Sequence, residues 1–115
     1  MQFLAKARYV RYSPFKLRPL VDVVRGKNAQ YALDWLMTCQ VQRAVPVHKI
    51  IASAVANAKS SKDVDATNLR IKDIRVDQGP AHRYFKPGAM GRANMQRKRL
   101  SHLSIILETI DEKEV

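Results

Sequence analysis

Residues 79–102, GPAHRYFKPGAMGRANMQRKRLSH, carry no acidic residue and neither a helical nor an alternating apolar pattern, yet they join the two plainest strand patterns in the chain. A segment that long without its own periodicity inside a compact domain is either a functional element or disordered. Upstream of it, Leu69 and Ile71 alternate with polar residues, as do Ile74 and Val76, but the two pairs are out of phase by one residue. A bulge near Lys72 and Asp73 absorbs such an offset. Downstream, Leu103, Ile105 and Leu107 alternate with Ser104, Ile106 and Glu108, presenting one face to a core. Two such strands make an antiparallel pair, and the joining segment then extends both as a long hairpin. Ten residues per arm span ~33 Å at strand rise, against a radius of gyration of ~13 Å for a folded domain of this size. The arm outreaches its own core, and a two-stranded hairpin with little to bury is marginally stable until something holds it.

The remaining residues supply the core. Residues 6–13, KARYVRYS, alternate in a way that suits a short strand. Ser13 and Pro14 mark a helix start as N-cap and first helical residue, Leu17, Leu20, Val21 and Val24 fall on one stripe, and Gly26 is the stop. Pro19 lies beyond the first turn and predicts a kink or a late start. Asn28 caps a second helix bearing Ala29, Ala32, Leu33, Leu36 and Met37, with Tyr31 and Trp35 read as packing residues. From Ala44, with Pro46 near the start, Val47, Ile50, Ile51, Ala54, Val55 and Ala58 keep one apolar stripe through a third helix. Residues 59–68, KSSKDVDATN, lose that period and read as a loop, and the tail 111–115 is expected to fray. The expectation is an α+β fold, three helices packed on a small antiparallel three-stranded sheet with a long protruding β-hairpin. Residues 1–115 form one domain, with residues 79–102 as its arm.

Charge says what such an arm meets. Twenty-one Lys and Arg against ten Asp and Glu leave a formal charge of +11, with a pI near 10.2, and that field attracts polyanions. With 46% hydrophobic residues the chain still reads as a folded domain. No apolar run approaches the ~18 residues of a spanning helix, and residues 1–10 lack a signal peptide's apolar region, so a soluble, unexported protein without a membrane partner is expected. One cysteine, Cys39, and three scattered histidines offer neither a disulfide nor zinc-ligand spacing, so no metal and no cofactor is expected.

Catalysis finds no constellation. Ser101 and His102 are neighbours on an expected strand and point to opposite faces, so they do not make a nucleophile and base pair. His48 and His82 have no evident partner, Cys39 after a helix reads as a small packing residue, and GAMGRA lacks the strand-to-helix setting of a phosphate loop. The chain is read as a binding protein, with no catalytic residue and no enzyme activity.

Positive charge clusters in two places. The arm holds Arg83, Lys86, Arg92, Arg97, Lys98 and Arg99, and residues 1–21, also free of acids, hold Lys6, Arg8, Arg11, Lys16 and Arg18. These eleven are the candidate RNA-binding residues, the first strand and first helix being expected to share the binding face. If each arm cation neutralised one phosphate, log K would fall with log salt by a slope of at most ~5 from the arm. Tyr84 and Phe85 between the cations suit stacking on unpaired bases. A free RNA-binding protein, RNA chaperone or DNA-architectural protein fits the same charge and the same arm.

AKARYVRYSPFKLRPLVDVVRGK, ASAVANA, IRVDQGP, KPGAMGRA and RKRLSH occur here in the order and spacing of a known family. Over residues 5–107 the chain resembles the large-subunit ribosomal protein twenty-two family, in its bacterial or organellar form. Each motif alone is weak; five in register are specific. The resemblance implies a ribonucleoprotein component of translation in the cytoplasmic ribosome, or an organelle's, a domain of three helices on a three-stranded sheet seated on large-subunit ribosomal RNA near the peptide exit. It further implies a hairpin tip in the exit-tunnel wall, opposite large-subunit ribosomal protein four, near the macrolide site and along the path of the nascent peptide. Pro87, Gly88, Ala89, Met90, Gly91 and Arg92 stand at that tip. Family tips commonly read P-R-A-x-G-R-A with a basic residue at x, whereas Gly88 and Met90 occupy those places here, leaving Arg92 to carry more of the tip's charge. Leu100 stands where a hydroxyl residue is common before Ser-His.

Overall fold

Leu103, Ile105 and Leu107 are all buried, and the strand they build, β3 (Ala93–Thr109), is the centre of the sheet. It pairs antiparallel with β1 (Gln2–Val10) on one side and β2 (Leu69–Pro87) on the other, in the order β1-β3-β2. The structure is a computed structural model that describes residues 2–91 and 93–110, with side chains in that range except at 82–87, 89 and 93–97. Three helices, α1 (Pro14–Val24), α2 (Ala29–Thr38) and α3 (Ala44–Lys62), complete the expected α+β fold. Leu17, Val21 and Val24 of α1, Ala29, Ala32 and Leu36 of α2, and Val47, Ile51 and Ala54 of α3 meet Phe3, Ile71, Ile74 and the β3 residues in one core. Fully enclosed alanines on α2 and α3 let these backbones approach closely.

Local chemistry accounts for most helix ends. Asn28 Oδ1 accepts from the backbone N–H of Gln30 (2.9 Å) and Tyr31 (3.4 Å), satisfying two donors that the first turn of α2 leaves open. Ser13 holds the N-cap position of α1 with extended backbone, but its hydroxyl makes no cap bond; the Lys16 N–H goes instead to the Ser13 carbonyl at 3.1 Å. The late start expected at Pro19 does not occur. α1 runs from Pro14 through Pro19, which is exposed, so water can reach the Phe15 carbonyl that its missing N–H leaves free. Past the end of α1, Gly26 takes φ +81° and donates to the Ile71 carbonyl at 3.0 Å, tying the turn to β2.

Three expectations are corrected. Residues 59–62 are helical, because an exposed last turn needs no apolar stripe and Lys59 and Lys62 suit the negative end of the helix; α3 then stops at Asp63 in the left-handed region. Tyr31 and Met37 are 52% and 73% exposed and do not pack, while Trp35 and Leu33 lie partly buried against the core. β1 starts at Gln2 rather than Lys6 and ends at Val10, because buried Phe3 anchors its first residues against Leu107.

The sheet carries three irregularities. Ile71 pairs with Leu107 and Asp73 with Ile106, so the extra residue falls at Lys72, where the phase change placed it. A second bulge, between Gln78 and Ala81, was not anticipated; there a Cβ on Gly79 would lie 3.0 Å from the Leu100 carbonyl oxygen, which favours glycine. The third lies in β1 between Ala7 and Val10, with Tyr9 at φ +60°. The last pair in which β1 takes part is Val10 with Ser101. Beyond it, residues 81–87 and 93–99 form a two-stranded ladder of seven pairs, about 24 Å long at strand rise. A tight turn at Ala89–Gly91 closes it, with Met90 (φ 59°, ψ 34°) and Gly91 (φ +79°) in the left-handed region. The extension raises the radius of gyration to 17.5 Å and the long dimension to 69 Å, against 25 and 20 Å across. The tail expected to fray, 111–115, lies outside the described residues.

Candidate nucleic-acid interface

Strand alternation distributes the candidate cations. Phe3, Ala5 and Ala7 of β1 turn toward the core, so Lys6 and Arg8 stand exposed on the sheet face that the helices leave open. With Tyr9, Asp77, His102, Leu103 and Ser104 they line a shallow cleft of about 280 Å³. Arg11 is exposed in the turn after β1, and Lys16 and Arg18 are exposed on α1. The first strand and first helix therefore do not share one face, because the helices cover only the other side of the sheet. They converge at the base of the arm. On β3, Lys98 has the alternation phase of His102 and Arg99 that of Ser101, and both cations are exposed.

The junction is built from two hydrogen bonds and one aromatic ring. The fully buried Ser101 donates its hydroxyl to the Tyr12 carbonyl at 2.6 Å. The Tyr9 N–H donates to His102 Nδ1 at 3.1 Å, and the two rings meet edge to face with centroids 5.0 Å apart. Each residue of the Ser-His pair is thus engaged with the chain around the end of β1 and not with the other. Phe15, on the first turn of α1, is 66% exposed; the guanidinium carbons of Arg18 and Arg99 lie 5.4 and 5.9 Å from its ring centroid. Phe15 was not among the sequence candidates. Its only local signal is an apolar residue off the helix stripe, since Arg99 is remote in the chain.

Along the arm the register sets Arg83 opposite Arg97 and Lys86 opposite Asn94. The side chains of Arg83, Lys86, Arg97, Tyr84 and Phe85 lie outside the described residues, as does the whole of Arg92. Like charges directly opposite on a ladder are destabilising, and a polyanion between them removes that cost. At the tip, Pro87 ends β2, Gly88 follows, and Ala89, Met90 and Gly91 make the turn, with Met90 wholly exposed.

Asp77 lines the Lys6–Arg8 cleft itself, and three other acids pair with arginines. Asp22 and Asp73 meet Arg25 at 2.7 and 3.7 Å, Asp73 meets Arg75 at 2.7 Å, and Glu108 pairs with Arg70. All three arginines are outside the candidate set. Glu108 sits opposite Gln2 and Arg70, at the end of the sheet remote from the arm. Exposed pairs of this kind add little stability, but each offsets positive charge outside the candidate set. Among the described residues no group of three or more His, Cys, Asp or Glu is placed to hold a metal ion, and no helix is long and apolar enough to cross a membrane.

Comparison with known proteins gives this arrangement a family. Residues 5–108 match the family described as ribosomal protein L22p/L17e. Over 113 residues the chain is 46% identical to the large ribosomal subunit protein uL22 of Desulfitobacterium hafniense strain DSM 10664 / DCB-2, covering 98% of this chain and 97% of that one. The protein of the same name from strain Y51 is 45% identical over the same coverage. The matched span runs from Ala5 in β1 to Glu108 in β3, so it takes in all three helices and the hairpin, and the chain belongs to the ribosomal protein L22p/L17e family.

Proposed function

We propose that this chain is a structural, non-enzymatic component of the large ribosomal subunit, which binds large-subunit ribosomal RNA, aids its assembly and reaches the peptide exit tunnel with its hairpin tip. The observation that carries this reading is the clustering of exposed positive charge. Asp22, Asp73 and Glu108 are paired with arginines, while Lys6, Arg8, Arg11, Lys16, Arg18, Lys98 and Arg99 are exposed on the domain from which an acid-free arm leaves. Phosphate contacts by these cations fix RNA helices around the domain, and the arm, with Arg83, Lys86, Arg92 and Arg97, passes between RNA segments that supply what its two-stranded ladder lacks. Residues 87–92 then face the tunnel lumen and the passing nascent peptide, with neighbouring large-subunit proteins, protein four among them, across the gap. The place of action is the ribosome.

A tagged copy sedimented through a sucrose gradient and washed at raised salt tests this reading. Retention at one copy per large subunit is the expected result. Release to the top of the gradient, or spread over all RNA, would favour a free RNA-binding protein or RNA chaperone and remove the tunnel placement.

A further inference from the structure

We infer that Phe15, Arg18 and Arg99 form a binding site for one unpaired nucleotide of the RNA partner, the base stacking on the ring and guanidinium planes and the flanking phosphates taken by the guanidinium edges. This deepens the RNA-binding reading and rests on it.

The three side chains come from two elements, α1 and the base of the arm, each within a stretch of sequence, residues 1–21 and 79–102, that carries no acid. Phe15 is 66% exposed although it stands on a helix whose apolar stripe is fully used by Leu17, Leu20, Val21 and Val24. The core has no use for this ring. At 5.4 and 5.9 Å from the ring centroid both guanidinium groups lie within cation–π range of Phe15, and their planar forks of N–H donors match phosphate oxygens. Base stacking on an aromatic surface tolerates any base and is favoured by neighbouring Arg planes. A base inside a duplex is stacked on both faces and has none to offer, so the site favours single-stranded or bulged RNA.

The test is titration of the full chain with a fluorescent oligo-adenylate and with a blunt, fully paired RNA duplex, each across a range of salt. Phe15→Ala is expected to keep the native unfolding temperature and the native salt slope, to weaken oligo-adenylate binding about tenfold, and to leave duplex binding unchanged. The double variant Arg18→Lys with Arg99→Lys keeps the charge and removes the planes, and is expected to do the same. Equal loss for both RNAs would make the ring a prop for the arginines, and no loss for either would make it a bystander; both overturn the nucleotide site while leaving RNA binding intact. Failure of the native chain to bind either RNA would take the wider reading down as well.

Discussion

The same two strands behave as two different materials along their length. From residue 101 onward β3 has neighbours on both edges and helices on one face, and Leu103, Ile105 and Leu107 are buried. From residue 99 back to residue 93 it has β2 alone, with Arg83 in register opposite Arg97. Stability in the first region comes from burial, whereas under the proposed function the second acts through its basic residues. The bulge at Gly79, the Ser101–Tyr12 bond and the Tyr9–His102 contact mark the border.

The largest way to break that contrast is Ile105→Ala, which empties part of the core and is expected to cost about 2–5 kcal/mol in denaturant unfolding. At the border, Ser101→Ala leaves the Tyr12 carbonyl without its partner and is expected to cost about 1–3 kcal/mol. Asn28→Ala removes the cap of α2 and should cost about 1 kcal/mol, read from the same midpoint shift. The combined change of Arg97, Lys98 and Arg99 to Ala should move stability by less than about 0.5 kcal/mol yet lower the salt slope of RNA binding by up to about 3. Smallest of all, Met90→Gly relieves a left-handed residue but should shift global unfolding by less than about 0.5 kcal/mol, because the tip is not part of the cooperative core. A large effect from either of the last two would join the regions that the first three separate.

How much of this was readable in the chain follows the same border. The bulge at Lys72 was legible because buried residues on either side keep a period whose phase slips once. The bulge before Ala81 was not, because residues around it bury too little to show a phase. Helix stripes identified the core, but a stripe marks which residues are apolar at helical spacing and not how wide the covered face is, so Met37 and Tyr31 were assigned to packing and are exposed. The polar end of α3 was missed because an exposed turn needs no apolar signature. Clustered cations were legible as clusters, yet their division between two sides of the sheet required knowing that the helices cover only one. Phe15 needed the fold outright, since its meaning lies in Arg99.

The most direct test of the contrast is amide hydrogen exchange, residue by residue, on the free chain and on the chain bound to large-subunit ribosomal RNA. Amides of 103–107 are expected to exchange slowly in both, while those of 81–86 and 93–99 exchange fast in the free chain and slow markedly with RNA. Arm amides as protected in the free chain as those of 103–107 would contradict it.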